Sequence, residues 1–189
     1  MTSQSVVLNV GCGTGSLAFE IAAAGKHIHG VDFSKEMIRI ARSRLTASEI
    51  GNISFYEDVF DANFDVFPVS SLDGICAYSV LHLMANRHEA LAKMYALLKP
   101  GGFLIASTVC LKDSWFPYRA FIAAMRFVGK APDVSIISKS QLRDEMEHSG
   151  FTDVIETDVG AESTISFIVA RKPEAAQTQT FANSRKLLA

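Results

Sequence analysis

The sequence is poor in the features that mark metal centres, disulfide frameworks and membrane spans. Its three cysteines, Cys12, Cys76 and Cys110, lie far apart in apolar surroundings and match neither metal-ligand spacing nor a disulfide pattern. No cluster of acidic residues has metal-ligand spacing. No apolar run approaches the ~18 residues that span a bilayer. We therefore expect buried reduced thiols, no bound metal and no stable membrane insertion.

An excess of charge of one sign is also absent. The chain has 18 basic and 20 acidic residues and a net charge of −2, so it lacks the basic surface that a nucleic-acid backbone requires. Only residues 1–5 precede the first predicted strand, so we expect no signal peptide. We expect a cytoplasmic protein with a small-molecule partner and no nucleic acid; a homo-oligomer is compatible with the sequence.

Hydrophobic periodicity predicts one α/β domain in the 189 residues. Strands alternate with helices, which indicates a mostly parallel sheet covered on both faces. Ser34 is placed to begin one helix, and Ser138 with Gln141 has the spacing of a capping box for another. The strands are predicted at 6–10, 27–32, 53–58, 75–79, 103–109, 152–158 and 164–171. Besides the helix that begins after Ser34, helices are predicted at about 16–25, 87–98 and 139–149.

The most informative stretch is a glycine turn, residues 11–15 (Gly-Cys-Gly-Thr-Gly), between the first strand and the first helix. Glycine allows a tight turn and close approach of a ligand to the backbone, and the N–H groups at a helix start face such a ligand. By itself the pattern is also compatible with an ordinary strand-to-helix turn.

Asp32 strengthens the ligand-binding interpretation. It ends the second strand 21 positions after Gly11, and an acidic residue at about that distance binds ribose hydroxyls in doubly wound sheets. The alternative is a carboxylate that only stabilises the start of the next helix, before Ser34.

Four stretches in order, between residues 7 and 102, carry a family resemblance. The sequence resembles the class I S-adenosylmethionine-dependent methyltransferases, in particular their small-molecule branch, and the match extends to about residue 172. The four stretches are Val7-Leu8-Asn9-Val10-Gly11-Cys12-Gly13-Thr14-Gly15, Gly30-Val31-Asp32-Phe33-Ser34, Asp73-Gly74-Ile75-Cys76-Ala77-Tyr78-Ser79-Val80-Leu81-His82 and Leu97-Leu98-Lys99-Pro100-Gly101-Gly102.

The resemblance implies a doubly wound, Rossmann-like sheet of seven strands, mostly parallel, with a reversed last strand. It also implies S-adenosylmethionine as cofactor, with S-adenosylhomocysteine as product. The backbone of Gly11, Cys12 and Gly13 would hold the methionine and ribose part, Asp32 would bind both ribose hydroxyls, and Phe33 would pack on the adenine.

Further roles follow from the same resemblance. Asp58 would bind the adenine amino group, with the Val59 backbone beside it, although Asp58 could equally be a turn residue. The Tyr78 carbonyl would hold the cofactor's amino group. Ser79 and His82 would lie near the transferred methyl, with His82 either the general base or a structural residue below the cofactor.

Two features depart from the family pattern. Asn9 stands where relatives usually have an acidic residue that balances the cofactor's ammonium group. Relatives also have helices before the first strand that help to close the pocket, and these N-terminal helices are missing from this sequence. The pocket is then more open, covered by another chain, or part of a longer protein.

The second half contains one segment outside the strand–helix rhythm. An apolar, aromatic stripe that includes Phe121 predicts a helical lid insertion near 113–130, within a methyltransferase domain of residues 1–172. The stripe is equally typical of a core helix that covers the sheet. Residues 173–189 have no clear periodicity and are predicted to be a flexible tail.

Three functions are compatible with the sequence. The first is methyl transfer to a small, partly apolar acceptor through O, N or C. The second is a non-catalytic or degenerate domain that only binds S-adenosylmethionine, an alternative kept open by Asn9. The third is a nicotinamide-dependent oxidoreductase, against which the third glycine of G-x-G-x-x-G is replaced by Ser16.

Overall fold

Seven strands form a single sheet in a computed structural model that describes residues 1–114, 135–160 and 164–174. The strand order is β3-β2-β1-β4-β5-β7-β6, and β7 runs antiparallel to both of its neighbours while the remaining pairs are parallel. The predicted fold class is therefore confirmed. The strands are β1 (Val6–Val10), β2 (His27–Asp32), β3 (Ile53–Glu57), β4 (Leu72–Tyr78), β5 (Leu98–Val109), β6 (Thr152–Glu156) and β7 (Ile165–Arg171).

Four helices described in the structure cover the two faces of this sheet. They are α1 (Ser16–Ile21), α2 (Lys35–Thr46), α3 (Arg87–Leu97) and α4 (Lys139–His148). One apolar cluster combines buried residues of α1 and α2 with β1, β2 and β3, and a larger cluster combines α3 and α4 with the other face of the sheet. Such two-sided burial explains why β1 and β4 are almost continuously apolar.

Helix starts follow the predicted capping residues. The Ser34 hydroxyl accepts a hydrogen bond from the Met37 N–H at 3.4 Å. At α4, the Gln141 N–H donates to the Ser138 hydroxyl and the Ser138 N–H donates to the Gln141 side chain, both at 3.2 Å, which completes the capping box. Each cap satisfies N–H groups that the first helical turn leaves without a partner.

Several element boundaries differ from the prediction, including the start of β4 at Leu72 rather than residue 75. The helix expected to reach residue 25 is α-helical only to Ile21 and ends in a short 3-10 turn, because the Asn52 amide donates to the carbonyls of Ala22 and Gly25. The strand expected from residue 103 begins at Leu98, since Leu98 pairs with Leu72 of β4 across an irregularity in the register. Neither of these last two changes moves the carboxyl ends of the strands.

Two predictions fall partly or wholly on residues outside the described ranges. These are most of the lid near 113–130 and all but the first two residues of the tail over 173–189. In the part of the chain that the structure describes, no helix is long and apolar enough to cross a membrane. Within the same ranges, no group of three or more histidine, cysteine or acidic side chains could hold a metal ion.

A pair of histidines on β2 supports the loop that leads from β3 to β4. The rings of His27 and His29 lie 4.5 Å apart, and the His29 ring also contacts that of Phe67 at 4.7 Å. The His29 Nδ1 is 3.2 Å from the Tyr56 hydroxyl. Burial, together with the charge of His27, lowers the pKa of His29 from 6.5 to about 4, so this imidazole is neutral in the folded protein at neutral pH.

We predict that His29 makes the fold sensitive to mild acid. The unfolded chain takes up a proton at this residue below pH 6.5, whereas the folded chain does so only near its lowered pKa, so stability falls as the pH drops from about 6.5 toward 4. Urea unfolding at pH 7.5 and pH 5 should show a loss in the wild type that exceeds the loss in His29→Phe by on the order of 1 kcal/mol. The exposed His88 provides the control substitution, His88→Gln. Equal losses in wild type and His29→Phe would contradict the assignment.

Candidate functional site

A cavity of about 300 Å³ lies at the carboxyl edge of the sheet, where β1, β2, β3 and β4 end. In open α/β sheets this edge is where ligands bind, between strands whose connections run to opposite faces. We call it the edge cavity. Its walls are mostly apolar, with a few acidic and amide groups: Val10, Gly11, Val31, Asp32, Phe33, Asp58, Val59, Phe60, Asp61, Val80, Leu83, Met84, Ala85, Asn86 and Ala90.

The glycine turn has the conformation that its composition predicts. Gly11, Gly13 and Gly15 have φ angles of +67°, +53° and +82°, in the left-handed region that side-chain-bearing residues rarely adopt. A Cβ at Gly11 would lie 2.7 Å from the Val80 side chain. A Cβ at Gly15 would lie 2.5 Å from the Phe55 ring. Both the backbone shape and the close packing therefore require glycine.

Asp32 connects the glycine turn to the end of β2. One carboxylate oxygen accepts a hydrogen bond from the Gly13 N–H at 2.9 Å, and the other accepts one from the Ser34 N–H at 2.9 Å. The side chain thus contributes to the start of α2, as the alternative interpretation predicted, and also lines the edge cavity. Each carboxylate oxygen can accept a further hydrogen bond, so the group remains able to bind a hydroxyl donor.

The rim of the edge cavity contains unusually exposed apolar side chains. Phe33 is 76%, Val59 57% and Leu83 53% exposed. Asp58 is also exposed, and its carboxylate accepts the Val59 N–H at 2.8 Å. The structure therefore brings Phe33, Asp58 and Val59 to the rim together. The backbone N–H of Val59, the residue whose backbone was predicted to lie beside the adenine, is bonded to the Asp58 carboxylate.

Asn9 does not line the edge cavity. Successive side chains of a strand point to opposite faces, and Val10 is the β1 side chain in the cavity wall, so Asn9 points to the face that α1 covers. It lies between Gly30 and Cys76 in the sheet and is only 3% exposed. Its amide makes no side-chain hydrogen bond to a described residue. A nearly buried amide of this kind, at the start of a glycine turn, is able to donate to or accept from a ligand.

Cys12 contributes backbone rather than thiol chemistry. Burial, assisted by the nearby Asp32 charge, raises the pKa of the thiol to about 12. A neutral thiol is a poor nucleophile, so the side chain serves packing beneath the turn.

Tyr78 and Ser79 form the end of β4 and the turn after it, outside the walls of the edge cavity. The Tyr78 ring packs against Phe167 with centroids 5.9 Å apart, and burial raises the pKa of its hydroxyl. Ser79 has a φ of +53°, which is strained for a residue with a side chain, and its N–H donates to the Ser107 carbonyl at 2.7 Å. Strained backbone of this kind is frequent at functional sites.

His82 is held by Thr108, a contact that the sequence analysis missed. The Thr108 hydroxyl is buried (1% exposed), accepts the His82 N–H at 3.1 Å and lies 3.0 Å from the His82 Nδ1. Burial lowers the pKa of His82, which favours the neutral imidazole. The side chain does not line the edge cavity, although Leu83 beside it does. The alternation of β5, which buries Thr108 among apolar residues, was the available signal for this partner.

The apolar wall formed by residues 80–86 was also not predicted as part of a site. Val80, Leu83 and Met84 line the edge cavity because the chain after β4 turns back over the ends of β1 and β2. The sequence places these residues directly after a strand end, but a short apolar run gives no indication of which residues face a cavity.

Comparison with known proteins agrees with this geometry. A family model described as "Methyltransferase domain" matches residues 8–104, just over half of the chain. The chain is 31% identical over 156 residues to the O-methyltransferase resE of Aspergillus sclerotiorum, covering 81% of this chain and 57% of that protein. It is 34% identical over 131 residues to a demethylmenaquinone methyltransferase of Symbiobacterium thermophilum, covering 65% and 47%. The chain thus spans about half the length of these two relatives.

Solved structures share the fold at lower identity. The cyclase SpnF superposes with a TM-score of 0.74 at 20% identity and covers 93% of this chain and 78% of that one. This similarity concerns the fold, which hosts more than one chemistry. Four observations agree: the sheet order, the glycine turn joined to Asp32, the family match and the identity to the relatives. The chain belongs to the class I S-adenosylmethionine-dependent methyltransferases.

Proposed function

We propose that this chain binds S-adenosylmethionine at the edge cavity and transfers its methyl group to a small, partly apolar acceptor. The observation that carries the proposal is the Asp32 carboxylate, bonded to the Gly13 N–H and placed in the cavity wall. Family membership supports the same cofactor. A cavity that is mainly apolar with a few fixed polar groups is typical of small-molecule sites.

Each part of the cofactor has a matching part of the site. Asp32 would accept the ribose hydroxyls, and Phe33 with Leu83 at the rim would pack against the adenine. Asp58 would accept the adenine amino group. The backbone of Gly11, Cys12 and Gly13, with the Tyr78 carbonyl, would hold the methionine part, and the left-handed glycines let a ligand approach that backbone closely.

The protein's contribution to the reaction is alignment, water exclusion and proton removal. The cofactor supplies an electrophilic methyl group on a sulfonium, and the neutral thioether that remains after transfer is a good leaving group. The apolar wall around Val80 and Met84 excludes water from the space beside it. His82 is proposed as the general base that takes the acceptor's proton when the nucleophile is a hydroxyl or a protonated amine. Ser79 would contact the acceptor near the methyl.

The acceptor is proposed to be apolar or aromatic. One relative is named an O-methyltransferase and another a ubiquinone/menaquinone biosynthesis C-methyltransferase, so oxygen and carbon are both reasonable acceptor atoms. A net charge near zero also supports a small molecule rather than a nucleic acid as the substrate. We propose that the protein acts in the cytoplasm. We further propose residues 1–172 as the catalytic domain; light scattering would determine whether it forms a homo-oligomer.

A second candidate function is binding of S-adenosylmethionine without transfer. Asn9 supports it, because a neutral amide replaces the carboxylate usual in the family. Turnover against a panel of phenols, quinols and amines, read as S-adenosylhomocysteine release, separates the two functions.

Asp32 provides the first test of the site. We expect Asp32→Ala to weaken S-adenosylhomocysteine binding in calorimetry by about ten- to a hundredfold, since a hydrogen bond to a charged group contributes roughly 1.5–3 kcal/mol. Asp61→Asn, in the same cavity wall, is the matched control and should change affinity little. NAD titrated in parallel tests the oxidoreductase alternative. Unchanged affinity of Asp32→Ala would reject the role of Asp32.

Asn9 provides the second test. Asn9→Asp introduces a carboxylate at a buried position, so the free protein should melt at a lower temperature at neutral pH. If the cofactor's ammonium group lies nearby, the carboxylate gains a partner on binding. S-adenosylhomocysteine should then raise the melting temperature more in Asn9→Asp than in wild type, while Asn9→Leu should show a smaller rise than either. Equal rises in all three proteins would place the ammonium elsewhere.

His82 provides the third test, once the panel gives an acceptor. A neutral imidazole acts as a base, so turnover should fall as the pH drops below the pKa of His82, which burial places below 6.5. His82→Gln should remove this acid limb and lower the rate by ~10²–10⁴-fold with little change in cofactor affinity. A lower melting temperature with an unchanged pH profile would instead indicate a structural histidine.

A further inference from the structure

An arginine from α2 holds the end of the glycine turn. Arg44 lies in the last turn of that helix, and one guanidinium nitrogen, Nη1, donates to the Thr14 carbonyl at 2.7 Å. The same nitrogen lies 3.3 Å from the Thr14 hydroxyl and 3.2 Å from the Ser16 hydroxyl. The guanidinium also stacks over the Phe19 ring, 4.7 Å from its centroid. These contacts connect α2 to the turn and to the first residues of α1.

The contact with Thr14 fixes one particular peptide group. The Thr14–Gly15 peptide has its carbonyl bonded to Arg44 and its N–H bonded to the Cys12 carbonyl at 2.9 Å. The preceding Cys12–Gly13 peptide has its N–H bonded to Asp32. Two peptide groups of a turn rich in left-handed glycines are therefore held from outside the turn. One is bonded to a carboxylate in the wall of the edge cavity, and the other to a guanidinium that does not line it.

Such restraint matters because glycine loses more conformational freedom on ordering than any other residue. A turn that is already ordered in the free protein does not have to lose that freedom when a ligand binds, and preorganisation of this kind increases affinity. The chemistry of arginine suits this role, because a planar guanidinium can donate to several acceptors and stack on a ring at the same time. A lysine ammonium, in contrast, is a point charge on a flexible chain.

We propose that Arg44 is a positioning residue for the cofactor: it holds the glycine turn in its binding shape without touching the ligand. This inference rests on the proposed binding of S-adenosylmethionine at the edge cavity. It assigns to α2 a function beyond packing against the sheet, because the helix carries at its last turn the group that orders the ligand-binding backbone.

The test compares Arg44→Ala and Arg44→Lys with Arg39→Ala. Arg39 lies on the same helix and pairs with Glu36 on the exposed surface, so its removal deletes the same charge without touching the turn. The ligand is S-adenosylhomocysteine, which lacks the sulfonium charge and so limits direct charge effects. Calorimetry well below the melting temperatures should show binding weakened on the order of fivefold to tenfold in Arg44→Ala. We expect less weakening in Arg44→Lys and none in Arg39→Ala.

Amide hydrogen exchange of the free proteins supplies a readout that a purely structural role would not give. Faster exchange in Arg44→Ala confined to residues 13–17, with the strands unchanged, is the expected result. Equal affinities of Arg44→Ala and Arg39→Ala, when the wild type binds, would overturn the positioning role and leave the proposed function intact. Loss of affinity that only accompanies a general fall in stability and exchange throughout the sheet would overturn it as well. Absence of binding by the wild type would reject the cofactor site and this inference together.

Discussion

The hydrogen bond between the Asp32 carboxylate and the Gly13 N–H is the interaction on which the site depends. It joins the turn after β1 to the end of β2 at the edge where the sheet changes the direction of its connections. The turn itself has few side chains that could hold it, because glycine occupies three of its five positions. Its shape must therefore come largely from groups outside it. The parallel register of β1 and β2, with Val10 opposite Val31, places the carboxylate within reach.

The same bond makes Asp32 compatible with both interpretations of the sequence. Asp32 supports the start of α2 through Ser34 and the glycine turn through Gly13, and it still faces the edge cavity. A carboxylate with two oxygens can bond two backbone groups and retain lone pairs for a third partner. The structural role is therefore compatible with the proposed ligand-binding role. Ordering of the backbone and recognition of a ligand would use different lone pairs of the same carboxylate.

Much of the fold was predictable because its determinants are local. Apolar runs located the strands, and capping residues such as Ser34 and Ser138 located helix starts to within a residue or two. The reversed last strand came from family resemblance. What could not be predicted depends on contacts between residues far apart in sequence. Arg44 meets Thr14 only because α2 packs beside the turn, and no pattern within either segment encodes that contact.

The same limit applies to the direction of side chains at the site. Family resemblance placed Asn9, the Tyr78 carbonyl and His82 beside a ligand. All three adjoin the ends of strands, where successive side chains point to opposite faces. Asn9 lies on the face opposite Val10, and His82 is turned toward Thr108. Proximity in sequence to a strand end thus identifies the region of a site, while the pleat of each strand decides which residues face the ligand. The walls formed by Val80, Leu83 and Met84 are apolar and lack a directional group. Recognition of a ligand by apolar walls depends on shape and exclusion of water more than on hydrogen bonds, which allows one fold to accommodate different ligands.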